Sequence, residues 1–161
     1  MNILLITPPF TQLNTPYPAT TQLKAFLVQE GHTVKQYDMG IELANQIFTR
    51  SFLKDIFDIA FSLDKLSFKA RGIASKRWAY EKSIDNVWRF LQGKDETLAT
   101  KITTRGYLPE AGRFKNVKDE NLEWAFGSTG NIDRAKHLAT LYIEDLSDFI
   151  ADIVSSSFQL V

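Results

Sequence analysis

The residues best equipped for chemistry in this chain lie within its first forty positions. Thr7, Gln12, Asn14, Thr15 and Tyr17 bring hydroxyl and amide groups into a stretch stiffened by Pro8, Pro9, Pro16 and Pro18, and Asp38 follows two elements later. A polar, rigid segment leading into a helix places these groups beside free backbone N–H donors. That combination suits phosphate, amide or carbonyl acceptors on a ligand. Four of the five prolines fall here, although proline is costly in most of a packed domain. The same residues also have a plainer use, in which the prolines end a strand and Gln12 and Asn14 satisfy turn backbone.

The flanking elements would hold that segment in place. Residues 2–7 are continuously apolar up to Thr7, as in a strand covered on both faces. Thr20 or Thr21 can cap a helix carrying Leu23, Phe26 and Leu27 at i, i+3, i+4 spacing, and Gly31 supplies its stop. Residues 32–38 then predict a second strand, with Val34 and Tyr37 as its β-favouring members. Strand, helix and strand in this order make a βαβ unit with parallel neighbours, and the segment after the first strand falls at the carboxyl edge, where open α/β sheets bind ligands.

Beyond Asp38 the pattern turns helical. Gly40 to Phe48 suits a short helix, and Phe52, Ile56, Ile59, Ala60 and Leu63 continue the spacing through a second. Lys76 to Leu91 carries Tyr80, Ile84, Val87, Trp88 and Leu91 on one side. Residues 104–118, with Gly106, Pro109 and Gly112, predict a loop. Ile132 to about Ser155 is the clearest amphipathic helix, with Leu138, Leu141, Tyr142, Leu146, Phe149, Ile150 and Ile153 in its stripe. The expected fold class is therefore α/β: a helix-rich, Rossmann-like βαβ fragment with a large helical portion and a sheet left incomplete. One domain over 1–161 is expected, with the βαβ unit in residues 1–50 and a mainly helical part in 51–161. Two strands make a poor sheet, so the chain reads as the amino-terminal part of a longer protein, or as one that completes itself by pairing with a second copy. Ser157 to Val161, which end on a β-favouring note, are one route to such pairing.

Composition narrows the function classes. Nineteen basic and nineteen acidic residues cancel, so no bulk field draws the chain to nucleic acid or an anionic membrane. No apolar run reaches the length of a membrane span, and the opening residues lack a signal-peptide pattern; the expected location is cytoplasmic. Cysteine is absent, which excludes disulfides, thiolate zinc and cysteine-held iron–sulfur clusters within these residues. A dinucleotide site would suit Asp38 but needs a glycine-rich turn, and no glycine lies between Met1 and Glu30; a P-loop fails likewise. The basic cluster Lys65, Lys69, Arg71, Lys76 and Arg77 reads as a solvated helix face. Asp145 and Asp148 share one face of the last helix and are assigned to its polar side. Trp78, Trp88 and Trp124 are core residues or the cover of a partner domain.

The string I-L-L-I-T-P-P-F-T-Q-L-N-T-P-Y-P-A-T, followed by a helix, Gly31 and a strand ending in Asp38-Met39-Gly40-Ile41-Glu42, resembles the amino-terminal cobalamin-binding-type domain of cobalamin-dependent radical S-adenosylmethionine enzymes. The likeness is strongest over residues 1 to about 50, with a weaker echo at Tyr142 to Leu146 and Phe149-Ile150. It implies a Rossmann-like sheet holding a corrinoid against a carboxy-terminal barrel. That barrel would carry the S-adenosylmethionine, the iron–sulfur cluster and the radical chemistry, a methyl transfer or rearrangement. It further implies a corrinoid-facing role for Thr7, Pro8, Pro9, Gln12, Asn14, Thr15, Tyr17 and Asp38. The chain departs from the Asp-x-His-x-x-Gly pattern of many cobalamin domains: Thr7-Pro8-Pro9-Phe10 stands there instead, so cobalamin would be held without a histidine ligand. The alternative is a helical interaction or regulatory domain that has lost the cofactor.

Overall fold

Two short stretches of this 161-residue chain form parallel strands, and all other regular structure described is helical. The computed structural model describes residues 1–9, 18–127 and 130–154. It divides into two compact units, Met1–Ile47 and Phe48–Val161.

In the first unit, β1 (Asn2–Thr7) pairs in parallel with β2 (Thr33–Asp38), in register from Asn2 opposite Thr33 to Thr7 opposite Asp38. The connection is α1 (Pro18–Gln29), which opens on a proline, whose missing N–H would find no partner in a first turn anyway. It closes as a Schellman motif: His32 N donates to Leu27 O at 3.0 Å and Gly31 N to Val28 O at 3.1 Å. Gly31 takes the left-handed conformation, φ 77°, that this closure requires. Gln36 Nε2 donates to Thr20 Oγ1 at 2.8 Å, tying β2 to α1.

Side chains alternate across the strands. Ile3, Leu5, Val34 and Gln36 are half-buried on the face that bonds to α1, whereas Leu4, Ile6, Lys35 and Tyr37 are exposed on the other. The continuous apolar run of β1 had predicted cover on both faces. Among the described residues only one is covered, and Leu23 and Phe26 of α1 are exposed as well. The unit ends in α2 (Met39–Ile47).

The second unit contains α3 (Arg50–Ser62), α4 (Phe68–Ala74), α5 (Arg77–Leu91), α6 (Ala99–Thr103), α7 (Asp119–Phe126) and α8 (Asn131–Ile153), with 3₁₀ turns at Glu96–Leu98 and Gly112–Asn116. Side-chain caps start two of these helices: Phe52 N donates to Thr49 Oγ1 at 3.3 Å and Ala70 N to Ser67 Oγ at 3.0 Å. The core forms where α3, α5 and α8 meet. Phe57 packs on Phe149 with ring centroids 4.9 Å apart, and Tyr80 stacks on Tyr142 at 5.2 Å. The buried face of α3 is Leu53, Ile56, Phe57 and Ala60; Ile59 and Leu63, expected there, are exposed. Ile56, Phe57 and Ala60 lie at i+3, i+4 and i+7 to Leu53, so the buried stripe is turned from the expected one by about one position. No described helix is long and apolar enough to cross a membrane.

Candidate functional site

The carboxyl edge of the two-stranded sheet gathers part of the predicted site. Because the register runs to Thr7 opposite Asp38, the ends of the two strands and the Pro8-Pro9 bend lie at one edge. Thr7 is 1% exposed, Asp38 is half-buried, Pro8 is exposed and Pro9 half-buried. Asp38 also does a local job: its Oδ1 accepts the backbone N–H of Ile41 at 3.0 Å, which satisfies one of the free donors at the start of α2. That bond occupies one carboxylate oxygen. Gln12, Asn14, Thr15 and Tyr17 lie outside the described residues. His32 precedes β2, at the amino end of the strand and away from this edge.

In the second unit, a cleft of about 1250 Å³ opens between α4, the Gly112–Asn116 turn and α8. Asp145 of α8 is one of its lining residues and is 3% exposed. Its Oδ1 accepts the backbone N–H of Arg113 at 3.0 Å. Its Oδ2 is buried and has no partner among the described residues. Burial pushes this carboxyl above the usual carboxylate range, and the backbone N–H groups of Arg113 and Ala111 only partly oppose the shift. The Tyr80 hydroxyl is likewise buried without a partner, and burial together with the Asp145 charge pushes its ionisation far up. Asp148, one turn on, is exposed and pairs with Arg113 at 2.9 Å. The two aspartates therefore part company: Asp148 belongs to the polar side of α8, whereas Asp145 does not.

Spacing carried the signal for Asp145. Leu138, Tyr142, Asp145 and Phe149 run at four, three and four residues, so the acid occupies a core position of the α8 stripe. A charged residue there is expensive unless something compensates it.

The basic residues near α4 and α5 are less available than their number suggests. Arg77 pairs with Asp58 at 2.6 Å and Glu81 at 2.5 Å, and its guanidinium also lies over the Phe57 and Phe61 rings. Of the tryptophans, Trp88 packs against Phe48 at 4.8 Å, while Trp78 and Trp124 are 71% and 90% exposed. Among the described residues no group of three or more acidic or histidine side chains is placed to hold a metal ion. No family model matches the chain, and neither a curated protein nor a solved structure shows significant similarity to it.

Proposed function

We propose that the first unit is the corrinoid-facing βαβ portion of a Rossmann-like, cobalamin-binding-type domain, serving a radical S-adenosylmethionine enzyme. The observation that supports this reading best is the parallel register. By ending β1 and β2 level at Thr7 and Asp38, it leaves the Pro8-Pro9 bend at the edge where such sheets hold ligands, and the polar residues through Tyr17 follow that bend in sequence. The residue chemistry fits a corrin, whose many neutral side-chain amides match Gln12, Asn14 and Thr15 better than they would match charges. In this reading the Pro8-Pro9 bend sets the floor of the site, Gln12 and Asn14 hydrogen-bond corrin amides, and Tyr17 packs on the ring or nucleotide tail. Asp38 has a second carboxylate oxygen for the same edge, the first being used on Ile41 N. His32 sits at the wrong end of β2 to ligate cobalt, so the corrinoid is held without imidazole from it. When bound, the corrinoid supplies a methyl carrier or radical partner. The iron–sulfur cluster and S-adenosylmethionine belong to a barrel carrying a three-cysteine motif, beyond these cysteine-free residues.

The test is hydroxocobalamin reconstitution of the full-length protein, read by the visible spectrum, for wild type and for Gln12→Ala and Asn14→Ala. The expected result is a corrinoid spectrum in wild type and reduced corrinoid content in both variants. Equal content in all three would defeat the residue assignment. No binding by wild type would defeat the cofactor assignment and favour the second reading, a helical interaction domain, which draws its support from the exposed Trp78 and Trp124 rings.

A further inference from the structure

We propose that the outer edge of β1 pairs with β1 of a second copy of this chain, antiparallel and centred on Leu4, doubling the sheet into one ordered β2-β1-β1-β2. The inference concerns the first unit alone and does not depend on the corrinoid reading. It starts from which backbone groups the fold has already used. Thr33 N donates to Met1 O at 3.0 Å, and the register sets Ile3 opposite Val34. In a strand, a residue's own N–H and C=O point to one side, and the side alternates along the chain. The odd positions of β1 therefore bond to β2, and Asn2, Leu4 and Ile6 direct their N–H and C=O groups outward. Among the described residues the sheet ends at that edge, and such an edge is a template for a further strand.

Charge and symmetry select the occupant. β1 carries no charge, so placing it against itself opposes no like charges. β2 carries Lys35 and Asp38, and Asp38 is already engaged with Ile41 N. Seating β1 on the outer edge of another copy's β2 would also be heterologous, leaving a new β1 edge open at every step, whereas β1 on β1 closes about a two-fold axis.

The register follows from the same backbone groups. The next outward position after Ile6 is Pro8, which has no N–H. Centred on Leu4, the pairing sets Leu4 opposite Leu4 and Asn2 opposite Ile6 of the second copy. Each pair exchanges both of its hydrogen bonds, so every outward group from Asn2 to Ile6 is used. Centred on Leu5 instead, Asn2 would oppose Pro8 and lose a donor. A two-fold axis perpendicular to the sheet keeps like faces together. Leu4 and Ile6, 59% and 49% exposed, then gain direct and diagonal apolar neighbours across the new strand pair.

The chain has no cysteine, so single cysteines report the geometry. In this register Leu4→Cys faces itself at a Cα separation of about 5.5 Å, within the reach of a disulfide, whereas Ile6→Cys stands roughly 14 Å from its copy. Oxidation of the intact chain, read by non-reducing electrophoresis, is expected to cross-link Leu4→Cys at least tenfold faster than Ile6→Cys. Sedimentation velocity of wild type over a hundredfold concentration range is expected to show monomer and dimer and nothing larger. Leu4→Pro removes one outward N–H and leaves the bonds to β2 in place; it is expected to weaken the dimer at least tenfold. Ile6→Lys, which keeps the backbone groups, is expected to do the same, with folding of both variants checked by circular dichroism. A wild type that stays monomeric at the highest concentration would overturn the proposal and leave the edge to a strand of a different protein. Equal cross-linking of the two cysteine variants would overturn it, because parallel strands set every residue against itself. So would an unchanged dimer in both Leu4→Pro and Ile6→Lys, or species that grow beyond the dimer, which would place β1 on β2 of the next copy.

Discussion

At the scale of single residues, the most consequential group is a carboxyl that the fold does not fully satisfy. Asp145 has one oxygen on the Arg113 backbone N–H and the other buried without a partner among the described residues, and burial raises its pKa above the ordinary carboxylate value. A group that binds its proton more tightly when folded contributes its full stability below the unfolded pKa, and loses it as pH rises through the folded value. Raising the pH through that range therefore costs the native state stability, because it forces a desolvated charge on the buried carboxyl. Asp145→Asn removes that charge while keeping the acceptor for Arg113. It is expected to stabilise the chain by about 1 kcal/mol at pH 7, with the difference shrinking toward zero near pH 4, as read by urea unfolding at both pH values. The neighbouring Tyr142 behaves oppositely, because its hydroxyl is satisfied by Ser83 Oγ at 2.9 Å. Tyr142→Phe should cost about 1 kcal/mol in the same measurement, by orphaning part of a buried hydrogen-bonded pair.

Among elements, those with strong punctuation were legible and those set by tertiary packing were not. The parallel strands, α1 with its Gly31 stop, and α5 and α8 all stand close to where periodicity and capping residues put them. The α4, α6 and α7 helices have seven, five and eight residues, too short for a repeating apolar stripe to declare itself. The face of α3 was misread for a related reason: Phe52, Leu53, Ile56, Phe57, Ile59 and Ala60 supply apolar residues around most of the helix, and only packing against α5 and α8 selects among them. At the candidate site, the strand pattern placed Asp38 at the sheet edge, and its other use, as an acid directly before the α2 helix where N-caps stand, emerged only with the structure. Asp38→Ala should release that cap, at a cost of about 1 kcal/mol. The amide of Ile41 would then exchange roughly fivefold faster, since local opening energies set exchange rates. Asp38→Asn keeps an accepting oxygen and should exchange at close to the wild-type rate. Equal exchange in Asp38→Ala and wild type would remove the capping role and leave the carboxylate wholly to a ligand. Gly31→Ala should likewise cost about 1 kcal/mol, from the left-handed backbone alone, because its added Cβ would meet no atom within 4 Å.

For the molecule as a whole, the two units contrast in what they bury. Of the largest fully buried side chains, Thr7 belongs to Met1–Ile47, whereas Tyr80, Tyr142, Phe57, Phe90 and Phe149 belong with the rest to the second unit. The first unit has a helix with no buried residue and two strands of six residues each. Two strands rarely suffice for independent stability in water. Its β1 strand also runs from Asn2 to Thr7 without a charge, while β2 carries Lys35 and Asp38, so β1 lacks the charges by which proteins guard a sheet edge. Residues 48–161 expressed alone are therefore expected to melt cooperatively within a few degrees of the same transition in the full chain. Residues 1–47 alone should give the circular dichroism of an unfolded peptide. In the full chain, Ile6→Lys charges this edge strand and its exposed face, and should reduce any concentration-dependent association seen by light scattering. An independently folded 1–47 segment would show that α1 and the strands carry more stability than their exposure indicates. A strict monomer at high concentration, in wild type and Ile6→Lys alike, would show that the β1 edge is already guarded.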